Sequence, residues 1–218
     1  METVTDTYLL KLENISFFEE KILIPKKSMY FYRFISKNKL SEDINLSNIL
    51  LESFIIKKSS ELINGESFKR RIIDGTLEGY VSILFSNKNT ETLRITDCII
   101  YLDNANVKFG RGFGFVSFDA LELIEKINKD FDNDPDSGYI YITIEDKEIQ
   151  RISDFKPEET TKAVHFGINY VEGDYCSEEI LETKIIEILR DQFYFILNHG
   201  TSKNPKYFIH TSSPLKIK

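Results

Sequence analysis

Residues 111–118 read Arg-Gly-Phe-Gly-Phe-Val-Ser-Phe and combine a cation with closely spaced aromatic rings. Side chains alternate between the two faces of a β-strand, so Phe113 and Phe115 would lie on one face together with Arg111. Aromatic rings on an exposed strand can stack on successive bases of a single-stranded nucleic acid, and an arginine beside them can bind phosphate. The two glycines would lie on the opposite face, where their missing side chains let a helix approach closely.

At every position this octapeptide resembles the RNP1 signature of RNA-recognition motif domains. The resemblance covers about 35 residues and implies that a helix and a further strand follow, as predicted below. Residues 100–104 resemble the companion signature RNP2, but only six residues separate them from Arg111, so no helix fits between. The octapeptide also fits a glycine-punctuated strand with Phe113 and Phe115 in the core. We prefer the core interpretation and keep nucleic-acid binding by Arg111, Phe113 and Phe115 as an alternative.

Two carboxylates and a lysine form a second candidate group. A Pro-Asp dipeptide ending at Asp136 is followed after eight residues by Glu145-Asp-Lys147. The spacing resembles the PD-(D/E)xK nuclease pattern, which implies carboxylates that hold Mg²⁺ and a lysine that steadies the attacking hydroxide. Across one extended strand, Asp136 and Glu145 would lie on the order of 30 Å apart, too far to share a metal. Another aspartate, Asp97 or Asp119, would have to replace Asp136. A metal-dependent nuclease using Glu145 and Lys147 is therefore a second alternative.

Acidic residues are concentrated in one part of the chain. Residues 122–191 contain 19 acidic and 8 basic residues, a net charge of −11, whereas residues 1–75 carry a net charge of +1. Such a field repels phosphate backbones and favours partners with a basic surface, although carboxylates kept for solubility would give the same count. The alternating Asp130, Asp132, Asp134 and Asp136 lack the glycine and glutamate positions of a Ca²⁺ loop. We predict that they contact a protein partner.

Composition indicates a folded chain. The 218 residues are 41% hydrophobic and 29% charged, and the net charge is −7. Two cysteines make no disulfide framework, no apolar run approaches the roughly 18 residues of a membrane span, and the N-terminus is acidic where a secretory signal is basic. We therefore expect a cytoplasmic protein outside the membrane. The three histidines lack metal-ligand spacing, so we predict no metal and no cofactor.

The order of predicted elements favours an α+β fold with a mainly antiparallel sheet and about three helices packed on it. Helices are predicted at residues 47–64, after the capping residue Asp119, and at 177–200. Strands are predicted at residues 7–13, 21–34 with an interruption at Pro25, 77–85, 92–102, 106–118, 138–145, 163–171 and 205–211. Residues 1–75 are predicted to form an N-terminal β-β-α segment and residues 76–218 the main domain, with one continuous domain as the alternative.

These patterns contain no coherent catalytic set, so we expect a non-enzymatic role. The leading hypothesis is a binding or regulatory protein that uses its acidic surface to engage a basic protein. A part in immunity or antiviral defence is a hypothesis about its biology. Nucleic-acid binding and metal-dependent cleavage are the two alternatives.

Overall fold

The computed structural model describes residues 19–36, 65–70, 72–73, 76–109, 112–129, 134–189, 193–198 and 207–211. The described helices are α1 (Glu91–Asn104), α2 (Ala120–Asn128) and α3 (Glu178–Leu189). The described strands are β1 (Ile22–Leu23), β2 (Tyr30–Ile35), β3 (Ile72–Ile73), β4 (Thr76–Leu77), β5 (Val81–Phe85), β6 (Gly112–Asp119), β7 (Tyr139–Ile144), β8 (Val164–Val171), β9 (Phe193–Asn198) and β10 (Tyr207–Thr211).

Eight strands form one antiparallel sheet in the order β1-β7-β8-β5-β2-β6-β9-β10, and β3 pairs with β4 separately. The predicted α+β class with a mainly antiparallel sheet is confirmed. Strands β1 and β2, from the predicted N-terminal segment, pair in this sheet with strands that follow residue 76. None of the described helices has the length and apolar character needed to cross a bilayer.

The central strand β2 is buried on both of its faces. Phe31 and Ile35 point into a core shared with α2 and α3, whereas Tyr32 and Phe34 point into a second core shared with α1. All four side chains have at most 6% of their surface exposed. This alternation follows from the two-residue period of a strand, and it requires a helix layer on each face of the sheet.

Helix α1 replaces the strand that was predicted at residues 92–102, so that prediction was wrong. Thr90 caps the helix by accepting a hydrogen bond from the Leu93 backbone N–H at 3.3 Å. The run is rich in β-branched residues, which favour strands, but its buried side chains follow helical spacing. They are Ile95, Cys98, Ile99 and Leu102. Burial of this stripe against the sheet outweighs the local preference. Residues 100–104, similar to RNP2, are the last turn of α1 rather than a strand.

The helix predicted at residues 177–200 is too long. α3 ends at Leu189, and Phe193–Asn198 is strand β9, which pairs with β6 on one side and β10 on the other. Three consecutive aromatic residues begin β9 and favour an extended chain. The register of β9 joins Ile196 to Phe113, so pairing with β6 decides the local structure.

The remaining predicted elements that fall on described residues are confirmed, except that the strand predicted at 106–118 is confirmed only in its second part. Asp119 caps α2 by accepting hydrogen bonds from the backbone N–H groups of Leu121 and Glu122, at 2.9 and 3.2 Å. β5, β7, β8 and β10 lie within the predicted strands, and Pro25 lies between β1 and β2. β6 begins at Gly112, six residues later than the predicted strand at 106–118. The predicted strand at 7–13 and helix at 47–64 lie outside the described residues.

Replacing Phe113 by alanine should cost about 3–5 kcal/mol of stability, because its ring is fully buried against α1 and the cavity left behind cannot be refilled. Leu93→Ala is the matched control, because Leu93 lies on the outer side of α1 with 51% exposure and should cost less than about 0.5 kcal/mol. Urea denaturation measures both. Equal midpoints for the two variants would mean that the Phe113 ring lies outside the core.

Candidate functional site

The start of β7 and the end of β8 lie side by side at one end of the strands, because Tyr139 is the register partner of Val171. A 3-10 turn at Pro135–Ser137 precedes β7, and Asp134 caps it by accepting a hydrogen bond from the Asp136 backbone N–H at 3.0 Å. On the β8 side the chain makes a second tight turn before α3 begins. The sheet pairing thus places two acidic turns next to each other.

The two turns are in backbone contact. The Tyr175 N–H donates a hydrogen bond to the Asp136 carbonyl at 3.3 Å. A Cβ atom on Gly173 would lie 1.9 Å from the Asp136 carbonyl oxygen, and a Cβ atom on Gly138 would lie 2.9 Å from the Val171 carbonyl oxygen. Gly138 also has a φ of 68°, which residues with a side chain rarely adopt. Glycine at both positions therefore permits this close approach.

The first residues of α3 are hydrogen-bonded to the turn that follows β8. The Glu178 backbone N–H donates a hydrogen bond to the Glu172 carboxylate at 2.9 Å. The Arg70 guanidinium bonds both carboxylate oxygens of Glu178, with 2.7 Å from Nε to Oε1, and this hydrogen bonding raises the pKa of Arg70. Two-point binding of this kind fixes orientation as well as distance. The ion pair with Arg70 also neutralises the Glu178 carboxylate.

A buried polar network lies beneath the first turn of α3. Burial, together with the nearby Glu182 carboxylate, raises the pKa of Tyr170, and its hydroxyl donates a hydrogen bond to the Phe68 carbonyl at 3.0 Å. On β2 the buried Arg33 donates from Nε to the Ser67 carbonyl at 3.1 Å. These bonds join residues 65–70 to the sheet and so hold Arg70 in place below α3.

The two turns and the start of α3 together carry six carboxylates and the exposed side chains of Tyr175 and Ile180, and we call this region the acidic corner. Tyr175 is 80% exposed, the largest exposed fraction among the big hydrophobic side chains of the described residues, and Ile180 is 43% exposed. The carboxylates are Asp134, Asp136, Glu172, Asp174, Glu178 and Glu179. Aromatic side chains are enriched at the centre of protein–protein interfaces, where a polar rim surrounds them.

The acidic corner contains half of the predicted partner-binding aspartates. Asp134 is exposed and Asp136 is half-buried. Asp130 and Asp132 lie outside the described residues, as does Arg111. The apolar members, Tyr175 and Ile180, were missed by sequence reasoning. The signal for them is an aromatic residue between acidic residues in a glycine-containing turn, directly before a helix.

Phe113 and Phe115 do not lie on an exposed strand face. Both are fully buried and pack with Phe34, at ring-centroid distances of 5.7 Å each. Phe109 covers Phe113 at 4.8 Å, and α1 contributes the rest of the same cluster. Base stacking on these rings would require α1 to leave the sheet.

Glu145 and Lys147 lie at the opposite end of β7 from Asp136, as the spacing of the sequence predicts. Glu145 accepts a hydrogen bond from the Thr143 hydroxyl at 2.6 Å, and Lys147 is exposed. Of the possible replacement carboxylates, Asp119 caps α2 and Asp97 accepts a hydrogen bond from the Ser86 hydroxyl at 2.8 Å. No group of three metal-ligating side chains occurs in the part of the chain that the structure describes.

Sequence reasoning also missed a serine–histidine pair beside Glu145. Ser82 Oγ lies 2.8 Å from His165 Nε2, and the Glu145 backbone N–H bonds the His165 carbonyl at 2.9 Å. A hydroxyl bonded to an imidazole is one part of a nucleophilic constellation. Here the rings of Tyr80 and Tyr101 lie 5.6 and 6.2 Å from the imidazole, and burial raises the pKa of Tyr80 to about 12. We interpret the pair as a polar network beneath aromatic rings.

No protein family model matches the chain, and neither a curated protein nor a solved structure shows significant similarity to it.

Replacing Gly173 by alanine should disrupt the acidic corner, because the new methyl group would overlap the Asp136 carbonyl and force the two turns apart. Overpacking of this kind costs about 1–3 kcal/mol or more. The expected results are a lower melting temperature and faster hydrogen exchange of the Tyr175 amide, which NMR or mass spectrometry measures.

Gly79→Ala is the matched control, since nothing lies within 4 Å of a Cβ atom at that position. It should leave both readouts unchanged. If Gly173→Ala behaves in the same way as Gly79→Ala, the two turns are not packed as described.

Proposed function

We propose that the protein is a non-enzymatic binding protein whose acidic corner docks a basic segment of a partner protein. The observation that carries this proposal is the 80% exposure of Tyr175, which follows Asp174 in the chain and bonds the Asp136 backbone of the neighbouring acidic turn. A solvent-exposed tyrosine supplies a large contact area at a small cost in conformational entropy. The flanking carboxylates select for lysine and arginine on the partner.

The electrostatics of the corner support a basic partner rather than an apolar one. Arg70 neutralises Glu178, while Asp134, Asp174 and Glu179 are exposed and add to the net charge of −11 over residues 122–191. Exposed carboxylates of this kind speed the encounter with a cation more than they hold the complex together, because they remain hydrated. The apolar side chains of Tyr175 and Ile180 would then limit dissociation.

The corner is also held in shape before binding. Its two turns are joined by the bond from Tyr175 to Asp136, and α3 is joined to them by the bond from Glu178 to Glu172. A surface that is already ordered loses less entropy when a partner binds, which favours affinity. The peptide it receives can therefore be short.

Nucleic-acid binding has less support from the described residues, since Phe113 and Phe115 are buried and the acidic corner repels phosphate. A cytoplasmic location agrees with the two buried cysteines, Cys98 and Cys176, since they form no disulfide. A role in immunity or antiviral defence stays a hypothesis that the identity of the partner would decide.

Replacing three exposed carboxylates of the acidic corner by lysine should abolish the electrostatic enhancement of the association rate. The partner is first captured from its native cells, with nuclease added to remove nucleic-acid tethers, and then purified. Its association rate with the wild-type protein should fall steeply with salt, because the Debye length shortens from about 10 Å at 0.1 M to about 3 Å at 1 M. The charge-reversed variant should associate slowly at every salt concentration. Its substitutions are Asp134→Lys, Asp174→Lys and Glu179→Lys.

A control variant with the same change in net charge separates the corner from the overall charge. It carries Asp103→Lys, Glu125→Lys and Asp154→Lys, three exposed positions outside the corner. Its association rate should stay near that of the wild type. Equal rates for the two variants, or a rate that is insensitive to salt, would contradict the proposal.

A further inference from the structure

A cleft of about 270 Å³ opens at the opposite ends of the strands, between the residues that precede β2 and those that follow β5. Strand β8 begins near the cleft and ends at the acidic corner, so its eight residues separate the two sites by roughly 25 Å. The charged side chains that line the cleft are Lys27, Lys88, Arg94 and Glu158. Their formal charges give a net of +2 in a protein whose total is −7.

Two of these cations donate hydrogen bonds to neutral oxygens. Lys88 Nζ bonds the Thr161 carbonyl at 2.8 Å, and Arg94 Nε bonds the Lys88 carbonyl at 2.7 Å. Arg94 Nη1 also lies 3.5 Å from the Tyr32 hydroxyl. The Tyr32 hydroxyl in turn donates a hydrogen bond to the Glu91 carboxylate at 3.4 Å, and burial raises the pKa of this tyrosine to about 12. None of these bonds neutralises a positive charge.

The positions of the cations are fixed by the surrounding structure. The Arg94 guanidinium lies over the Tyr30 ring at 5.3 Å from its centroid, a cation–π contact that leaves the charge in place. The Asn87 side-chain amide donates a hydrogen bond to the Pro157 carbonyl at 2.8 Å, which joins the two loops that border the cleft. Lys27 forms an ion pair with Glu158 at the exposed rim.

We propose that this cleft binds the phosphate group of a small molecule. A dianion matches the net charge of +2, and Lys88 and Arg94 offer charged N–H donors within one concavity, whereas a carboxylate would satisfy only half of that charge. The volume is at the lower limit for a ligand pocket, so the ligand is inorganic phosphate or a compact phosphate monoester. This site is independent of the acidic corner and of its partner.

Calorimetric titration tests the proposal with inorganic phosphate, glycerol 3-phosphate and acetate at constant ionic strength and neutral pH. The two phosphates should bind and acetate should not. Tighter binding of glycerol 3-phosphate assigns the site to a monoester, and equal or tighter binding of inorganic phosphate assigns it to the free anion. Equal heats for acetate and phosphate, or no phosphate binding to the wild-type protein, would overturn the proposal.

Substitution at Lys88 then locates the binding. Lys88→Gln should weaken phosphate binding about tenfold or more, since a charge-assisted hydrogen bond is lost. Lys88→Arg should restore much of the affinity, because the cation returns. Lys129→Gln, at an exposed residue beyond α2, is the control and should bind as the wild type does. Circular dichroism melting confirms that each variant is folded, and Lys27→Gln replaces Lys88→Gln if the latter unfolds. Equal affinity in a folded cleft variant and the Lys129→Gln control would contradict the assignment.

Discussion

Burial of the central strand on both faces is the constraint on which the rest of this structure depends. β2 sends Phe31 and Ile35 into one core and Tyr32 and Phe34 into the other. Each core needs its own cover, so α2 and α3 pack on one face and α1 packs on the opposite face. With the middle of the sheet covered in this way, access to ligands is greatest at the ends of the strands. Both sites proposed for this protein lie there.

The two proposed sites carry opposite charge. The acidic corner lies where β7 begins and β8 ends, and the cationic cleft lies where β2 begins and β5 ends, at the opposite ends of the antiparallel strands. At a separation of roughly 25 Å, exposed charges of the two sites are largely screened from each other at physiological salt. A basic partner and a small anion can therefore be attracted to the same molecule without competing. The net charge of −7 describes neither site, because it averages over both.

The sequence predicts elements well where local pattern and tertiary packing agree. Asp119 marks the start of α2, and β7 and β8 lie inside their predicted ranges, because alternation and capping are local signals. Predictions failed where distant contacts decide. The β-branched residues of α1 favour a strand, but its buried residues have helical spacing and pack as one stripe against the sheet. β9 is extended because it pairs with β6 on one side and β10 on the other. The acidic turn was predicted from composition, but its contact with Tyr175 depends on the register of β7 with β8.

Hydrogen exchange of the protein, free and saturated with its purified partner, tests most directly whether the acidic corner is the binding surface. The turns and the start of α3 are small segments with many exposed amides, so a bound peptide should slow their exchange measurably. The account predicts protection confined to residues 134–138 and 172–181. Protection centred on α1 or on residues 145–149, with unchanged exchange around Tyr175, would contradict it.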